Sequence, residues 1–246
     1  MADKIVVSNI KKSFVANSEI LPVVAGVSLT VANGEFVAIV GPSGCGKSTL
    51  MKIIAGFEPT DEGQVLIDGV VRKKPNPNGI LISQHGSVFP WLSVQQNLMF
   101  GLIGTEHGDK AELADHYAAL VGLKGFENSY PHELSGGMLK RVELARALAV
   151  KPEVLYMDEP FSALDALMSL RMRTELRRVL EEERHTVLLI THDVDEAIQL
   201  ADRILVLSTR PSTIQATFAV PFAHPRKLSS PEAQALKEAI LRELGV

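Results

Sequence analysis

The sequence predicts an α/β fold. An apolar, β-branched run leads straight into a glycine-rich turn and a helical segment, further apolar runs alternate with helical-period segments after residue 150, and residues 4–40 break β-branched runs with glycine-containing turns. The first observation is the most specific. Glu35-Phe36-Val37-Ala38-Ile39-Val40 reads as a buried strand, and Gly41-Pro42-Ser43-Gly44-Cys45-Gly46-Lys47-Ser48-Thr49 follows it directly. That turn matches G-x-x-x-x-G-K-[ST] at each fixed position, the loop that cradles the phosphates of a nucleoside triphosphate.

The N-terminal part predicts short strands, among them Val27-Ser28-Leu29-Thr30-Val31 and Val65-Leu66-Ile67-Asp68-Gly69, with Asn33-Gly34 as a hairpin signal. In the phosphate loop, glycines without Cβ let successive backbone N–H groups curl into a concave nest, and a helix beginning near Lys47 adds its positive end. Lys47 supplies a mobile charge to the β- and γ-phosphates, and Ser48 a hydroxyl for Mg²⁺. The plainer reading, a glycine-rich turn without a ligand, accounts poorly for strand, loop, Lys-Ser pair and the apolar helix positions Leu50, Ile53 and Ile54 falling in register.

Residues of about 93–150 predict helices. Ser93 caps an apolar-faced segment through Leu102, and Ala111 to Leu120 is amphipathic. Leu134-Ser135-Gly136-Gly137-Met138 then opens a segment whose Val142, Ala145, Leu148 and Ala149 recur at helical spacing. With Ser135 as N-cap, Gly136 and Gly137 present bare N–H groups at the helix start, a second anion-binding end.

Val154-Leu155-Tyr156-Met157 predicts a strand ending in Asp158-Glu159-Pro160. A parallel strand delivers its last residues to a ligand crevice, where Asp158 suits a Mg²⁺ shell built from few carboxylates plus phosphate. Alternation along the strand turns Glu159 to the other face, free to orient an attacking water. Thr186–Ile190 and Ile204–Leu207 read as further strands, and beyond Pro211 a short tail ends in a helix opened by Ser230-Pro231.

Together these motifs resemble the nucleotide-binding subunit of ABC transporters over nearly the whole chain. Besides the Walker A loop, the Leu-Ser-Gly-Gly signature and the Walker B strand, Gln84 in Ile82-Ser83-Gln84-His85 is similar to the Q-loop glutamine. Ser162-Ala163-Leu164-Asp165 resembles the D-loop, His192 in Ile190-Thr191-His192-Asp193 the switch histidine, and Phe14 the aromatic that stacks on adenine. The resemblance implies one ABC ATPase domain over 1–246, with a catalytic core and antiparallel β-subdomain at about 1–92 and 151–210, a helical signature subdomain at about 93–150, and a tail at 211–246. It implies ATP and Mg²⁺ as ligands, the metal held by Ser48, Gln84 and Asp158. Lys47, Gln84, Glu159 and His192 become the catalytic set, and Asp165 reaches across a dimer. Two copies pack head to tail, so that each ATP lies between Lys47 of one and Ser135 of the other. One position departs from the pattern. Met138 replaces the usual Gln and makes no ordinary hydrogen bond, which predicts slower turnover or weaker coupling.

Composition narrows the partners. Hydrophobic residues make up 46% of the chain, ample for a core, and the net charge of −4 with no basic run longer than Arg72-Lys73-Lys74 disfavours nucleic-acid binding. The lone Cys45 allows no internal disulfide and suits a reducing compartment as a small loop residue. No apolar run reaches the roughly 20 residues that cross a bilayer, nor does the N-terminus read as a secretory signal. The resemblance implies a peripheral setting at the cytoplasmic face of the inner membrane, with transmembrane permease subunits and a periplasmic or lipid-anchored solute-binding protein as partners.

Of the histidines only His192 stands in a motif; His85, His107, His116, His132, His185 and His224 are expected on surface loops or helices, without metal spacing. Glu181-Glu182-Glu183-Arg184 reads as a solvated helix end. Phe89-Pro90-Trp91 resembles the form in importers of nitrate, sulfonates, taurine and bicarbonate, where a membrane subunit docks; a core tryptophan fits as well. Val220-Pro221-Phe222-Ala223-His224-Pro225-Arg226 is similar to the end of the same subgroup. The reading that results is the ATPase of a small-anion importer, with a lipid or other exporter and a non-transport ABC ATPase as rivals.

Overall fold

The computed structural model describes residues 3–16, 18–84, 86–104 and 109–246. In chain order the elements are β1 (Asp3–Ala16), β2 (Glu19–Ala32), β3 (Phe36–Val40), α1 (Lys47–Ile54), β4 (Glu62–Ile67), β5 (Val70–Val71), β6 (Gly79–Ile82), α2 (Val94–Gly101) and α3 (Lys110–Leu120). There follow α4 (Gly136–Ala149), β7 (Val154–Asp158), α5 (Ala166–Glu183), β8 (Thr186–Ile190), α6 (Val194–Leu200), β9 (Arg203–Leu207), β10 (Ile214–Ala219) and α7 (Pro231–Glu243). The mixed α/β fold is the one the sequence predicts.

A six-stranded sheet in the order β10-β9-β3-β8-β7-β6 forms the centre, parallel except for β10, which lies antiparallel at one edge. Strands β3, β7 and β8 are buried at every residue, which explains their unbroken apolar runs. Alternation along each splits its side chains between two cores. Phe36, Ala38 and Val40 join Leu155, Met157, Val187 and Leu189 against helices α2 to α6. Val37 and Ile39 join Val154, Tyr156, Leu188 and Ile190 on the opposite face, where α1 and the β1–β2–β4 strands pack. The second sheet is antiparallel and four-stranded, in the order β2-β1-β4-β5.

Some expectations for the N-terminal part are corrected. β1 and β2 are long strands of 14 residues each, bent by register shifts near Asn9 and Gly26 rather than interrupted by turns. Asn33-Gly34 is a tight turn but not a hairpin: it carries the chain from β2 into β3, which belongs to the other sheet. A strand buried on both faces pairs with its parallel neighbours β8 and β9, so the hairpin partner of β2 is β1 instead. The segment beyond Pro211 also does more than end in a helix. It supplies β10 to the central sheet, and Ser212, wholly buried, bonds the backbone of Val23 and Ala25 and so ties the two sheets together.

Candidate functional site

The parallel strands deliver the motif residues along one edge of the sheet: the 41–49 loop follows β3, Gln84 follows β6, Asp158 closes β7 and His192 follows β8. The loop is built for a ligand. Gly44 has a φ of 72° with nothing within 4 Å of where a Cβ would stand, whereas at Gly46, φ 112°, a Cβ would come 2.7 Å from Val23 Cγ1. Both therefore need glycine, one for backbone conformation and one also for space. No side chain caps α1, so its first N–H groups remain available to an anion. Lys47 is buried and its Nζ folds back to donate to Gly41 O at 2.8 Å and Pro42 O at 2.9 Å. Cys45 is buried packing, as expected.

The Ser48 hydroxyl donates to the Asp158 carboxylate; burial pushes that carboxyl up, as does Glu159, while the Ser48 bond and the Lys52 and Lys47 charges draw it down. Among the described residues no cluster of three or more His, Cys, Asp or Glu side chains could hold a metal by itself. A hydroxyl and one carboxylate beside a phosphate loop suit a hard cation whose other ligands are phosphate and water, which is the preference of Mg²⁺.

Glu159 is not the last residue of the strand. β7 ends at Asp158, and Glu159 takes a left-handed φ of 50°, so its direction follows from this turn rather than from strand alternation. Its N–H donates to Ile190 O at 2.9 Å, and Ser162 Oγ donates to its carbonyl at 3.0 Å. Such a backbone costs on the order of 1–3 kcal/mol for a non-glycine residue. The turn brings Glu159 Oε1 to 3.3 Å from His192 Nδ1, and Oε2 to 3.5 Å from Gln84 Nε2. Gln84, Glu159 and His192 are thus brought together.

Phe14 is joined to the site through register: it pairs with Leu21, two residues along β2 from the Val23 that packs on Gly46. Lys12 Nζ lies 5.1 Å from its ring centroid. Ser135 caps α4 by accepting from Met138 N at 3.3 Å, and a Cβ on Gly136 would meet nothing within 4 Å. Gly137 packs tightly on Ala163 O and Leu164 Cδ2, which places the signature beside the 162–165 segment. Asp165 caps α5, accepting from Leu167 N and Met168 N. Among the described residues no hydrogen bond or ion pair joins Ser135, Gly136 or Gly137 to the 41–49 loop.

Sequence reasoning missed a brace around Gln84. Lys140, Glu143 and Arg146 recur every three residues on one face of α4; Lys140 donates to Ser83 O at 2.6 Å, Glu143 accepts from Ser87 N, and Arg146 donates to Ser87 Oγ at 2.6 Å. Lys140 and Glu143, both buried, also form an ion pair at 3.0 Å. The i, i+3, i+6 spacing was visible, but charges at that spacing read equally as a solvated face.

Other expectations are corrected or completed. His116 and His132 are exposed and His224 half-buried in a loop; His85 and His107 lie outside the described residues. His185 is buried instead, with ring nitrogens on Pro152 O and Glu183, because it stands immediately before the fully buried strand β8. Glu183 is no solvated helix end either: Tyr117, Lys151 and His185 converge on it. Trp91 is not core. It is 68% exposed, 5.6 Å from Phe89, whose other neighbours are Phe100 at 4.5 Å and the Arg146 guanidinium at 4.9 Å. A groove of about 300 Å³ lined by Phe89, Phe100, Ile80 and Arg146 runs alongside. A cleft of about 990 Å³ elsewhere holds none of the motif residues and is lined by charges paired with one another, Arg177 with Asp202 and Arg203 with Glu35.

A phosphate loop, an adjoining hydroxyl–carboxylate pair, a carboxylate held by Gln and His, and a second glycine-tipped helix define a P-loop nucleotide hydrolase. Comparison with known proteins gives the class its family. The model of the ABC transporter family matches residues 24–162. An uncharacterized ABC transporter ATP-binding protein of Methanocaldococcus jannaschii is 40% identical over 246 residues, covering 99% of this chain and 92% of its own. The aliphatic sulfonates import ATP-binding protein SsuB of Bacillus licheniformis is 41% identical over 233 residues, covering 95% and 91%. The bacterial ABC transporter cassette MJ0796, solved as a dimer, superposes with a TM-score of 0.81 at 29% identity, covering 89% of this chain and all of that one. The same cassette after hydrolysis, bound to ADP and Pi, gives 0.80 at 28% identity. The chain belongs to the ABC transporter family, as an ATP-hydrolysing nucleotide-binding subunit. Among the described residues no helix is long and apolar enough to cross a membrane.

Proposed function

We propose that the chain powers a membrane importer of a small organic anion of the sulfonate class, hydrolysing ATP at two sites shared by head-to-tail copies. The single observation that carries the hydrolytic part is Glu159, held in a left-handed backbone beside Asp158 with His192 at 3.3 Å and Gln84 at 3.5 Å from its carboxylate. The N–H groups of 41–49 bind the phosphates, and Lys47 leaves its carbonyl partners to neutralise charge between β and γ. Ser48 and Asp158, with Gln84 at the rim, would hold Mg²⁺, which when bound would supply positive charge against the negative charge that develops on the phosphate. Glu159 accepts the proton of the attacking water; His192 orients Glu159 and the γ-phosphate; Phe14 stacks on the adenine. Replacing Glu159 by Gln removes the base and lowers turnover by about 10²- to 10⁴-fold with binding retained. A rate within a few-fold of the parent would sink the assignment.

The second half of each site comes from Ser135, Gly136 and Gly137 of the other copy, with Asp165 at the seam. The open space over Gly136 and the lack, among the described residues, of bonds from this helix tip to its own phosphate loop support that arrangement, as does the dimeric cassette among its structural relatives. On the outer side, exposed Trp91 and the groove beside Phe89 and Arg146 support docking of a permease subunit at the cytoplasmic face of the membrane, with a solute-binding protein beyond it. The SsuB relative supports the sulfonate class. Co-purification from membranes, then ATPase measurement with candidate binding proteins and sulfonates, tests this part: it requires a membrane protein in the complex and stimulation by the loaded binding protein.

A further inference from the structure

Four residues beyond His192 stands a buried carboxyl group for which the mechanism above has no use. Glu196, in the first turn of α6, is 6% exposed. Its Oε2 accepts from Thr191 Oγ1 at 3.1 Å, and its Oε1 has no hydrogen-bond partner. Thr191 is itself 1% exposed, and its Oγ1 accepts from the N–H of Asp193 at 3.0 Å. A hydroxyl has one hydrogen to give. Because that hydrogen points at Glu196, the oxygen lone pairs face Asp193 N–H, so the carboxyl fixes the rotor and the rotor closes the turn from which His192 projects.

The surrounding bonds hold the same turn from other sides. Asp193 accepts from Asp195 N at 2.9 Å and Glu196 N at 3.3 Å, and lies 3.7 Å from Arg173 of α5. Asp195 is paired with Lys237 of α7 at 2.7 Å. Burial raises the Glu196 pKa to about 7, while the Thr191 bond and Arg173 draw it down. An apolar side chain would pack at this place without the cost of desolvating a carboxyl.

We propose that Glu196 is a positioning residue for ATP hydrolysis, which through the Thr191 hydroxyl holds the 191–193 turn so that the His192 ring stays on Glu159. This rests on the roles of His192 and Glu159 given above. The test is steady-state ATPase kinetics of the purified chain carrying Glu196→Gln, Glu196→Leu, Thr191→Val, Thr191→Ser or the Leu/Val pair, with His192→Ala alongside. An amide oxygen still accepts from Thr191, so Glu196→Gln keeps kcat within about twofold, as does Thr191→Ser. Glu196→Leu and Thr191→Val each lower kcat about tenfold with KM for ATP little changed, and the double variant falls no further than either, because both cut one path. Should Glu196→Leu fail to fold, the two Thr191 variants give the same comparison. The proposal is overturned if Glu196→Leu or Thr191→Val keeps parental kcat while His192→Ala loses it, if Glu196→Gln falls as far as Glu196→Leu, or if the two losses multiply. A fully active His192→Ala would instead refute the role of His192, and this proposal with it.

Discussion

At Glu159 the backbone carries a conformation that most side chains avoid, and the carboxylate it directs meets His192 and Gln84. Because Gln has the same backbone preference, Glu159→Gln should leave thermal stability within about 0.5 kcal/mol of the parent while removing the base. Calorimetry on the variant checks this; a stability change of several kcal/mol in either direction would contradict it. Met138 makes a second residue-scale prediction. Its side chain is half-buried against the helical core, so it contributes packing where the usual Gln would offer a hydrogen bond. Met138→Gln should lower stability by roughly 1 kcal/mol and raise ATP turnover a few-fold; an unchanged rate contradicts the second half. The residues of fixed-spacing motifs were readable because each spacing encodes one local geometry, as with Gly44 and Gly46. Lys140, Glu143 and Glu196 were not, since a charge on a helix reads as solvated until the fold shows what covers it.

Among the elements, Tyr117 of α3, Lys151 just beyond α4 and His185 just before β8 meet Glu183 at the end of α5. Burial alone would push this carboxyl up, yet bonds from His185, Lys151 and Tyr117 hold it at about 2, below the ordinary 4.5. A depressed carboxylate pKa adds stability that is fully present above 4.5 and lost as pH falls toward 2. Glu183→Gln should therefore cost about 1–2 kcal/mol at pH 7, allowing for partial solvent screening, and the gap to the parent should close in acid. Urea unfolding of both proteins across pH 2–7 measures it, and a gap that widens in acid refutes the sign. Element types were largely readable from periodicity, as in β3, β7 and α4. Partnership was not: Asn33-Gly34 has hairpin chemistry, and only the burial of β3 on both faces explains why it leads to another sheet. The half-exposed β10, Ile214-Gln215-Ala216-Thr217-Phe218-Ala219, does alternate in burial, but its short run with two alanines beyond Pro211 reads as tail until its pairing with β9 is seen.

For the whole molecule, the exposed surfaces are what the sequence could least specify. Trp91 fitted either a core or a docking face, and its 68% exposure excludes the core. If a permease segment seats there, Trp91→Ala should weaken the complex about tenfold or more, as for a buried aromatic anchor, read by titration of the chain onto permease in detergent. An unchanged affinity would move the docking site elsewhere. The glycine tip of α4 is open, with nothing within 4 Å of where a Cβ on Gly136 would stand. The central claim is that two copies complete each other through ATP. Its most direct measurement is the solution mass of Glu159→Gln by light scattering, with and without ATP. The account predicts a 26.7 kDa species that doubles on adding ATP and no longer doubles when Ser135→Arg is introduced; a Glu159→Gln chain that binds ATP at high occupancy yet stays monomeric would contradict it.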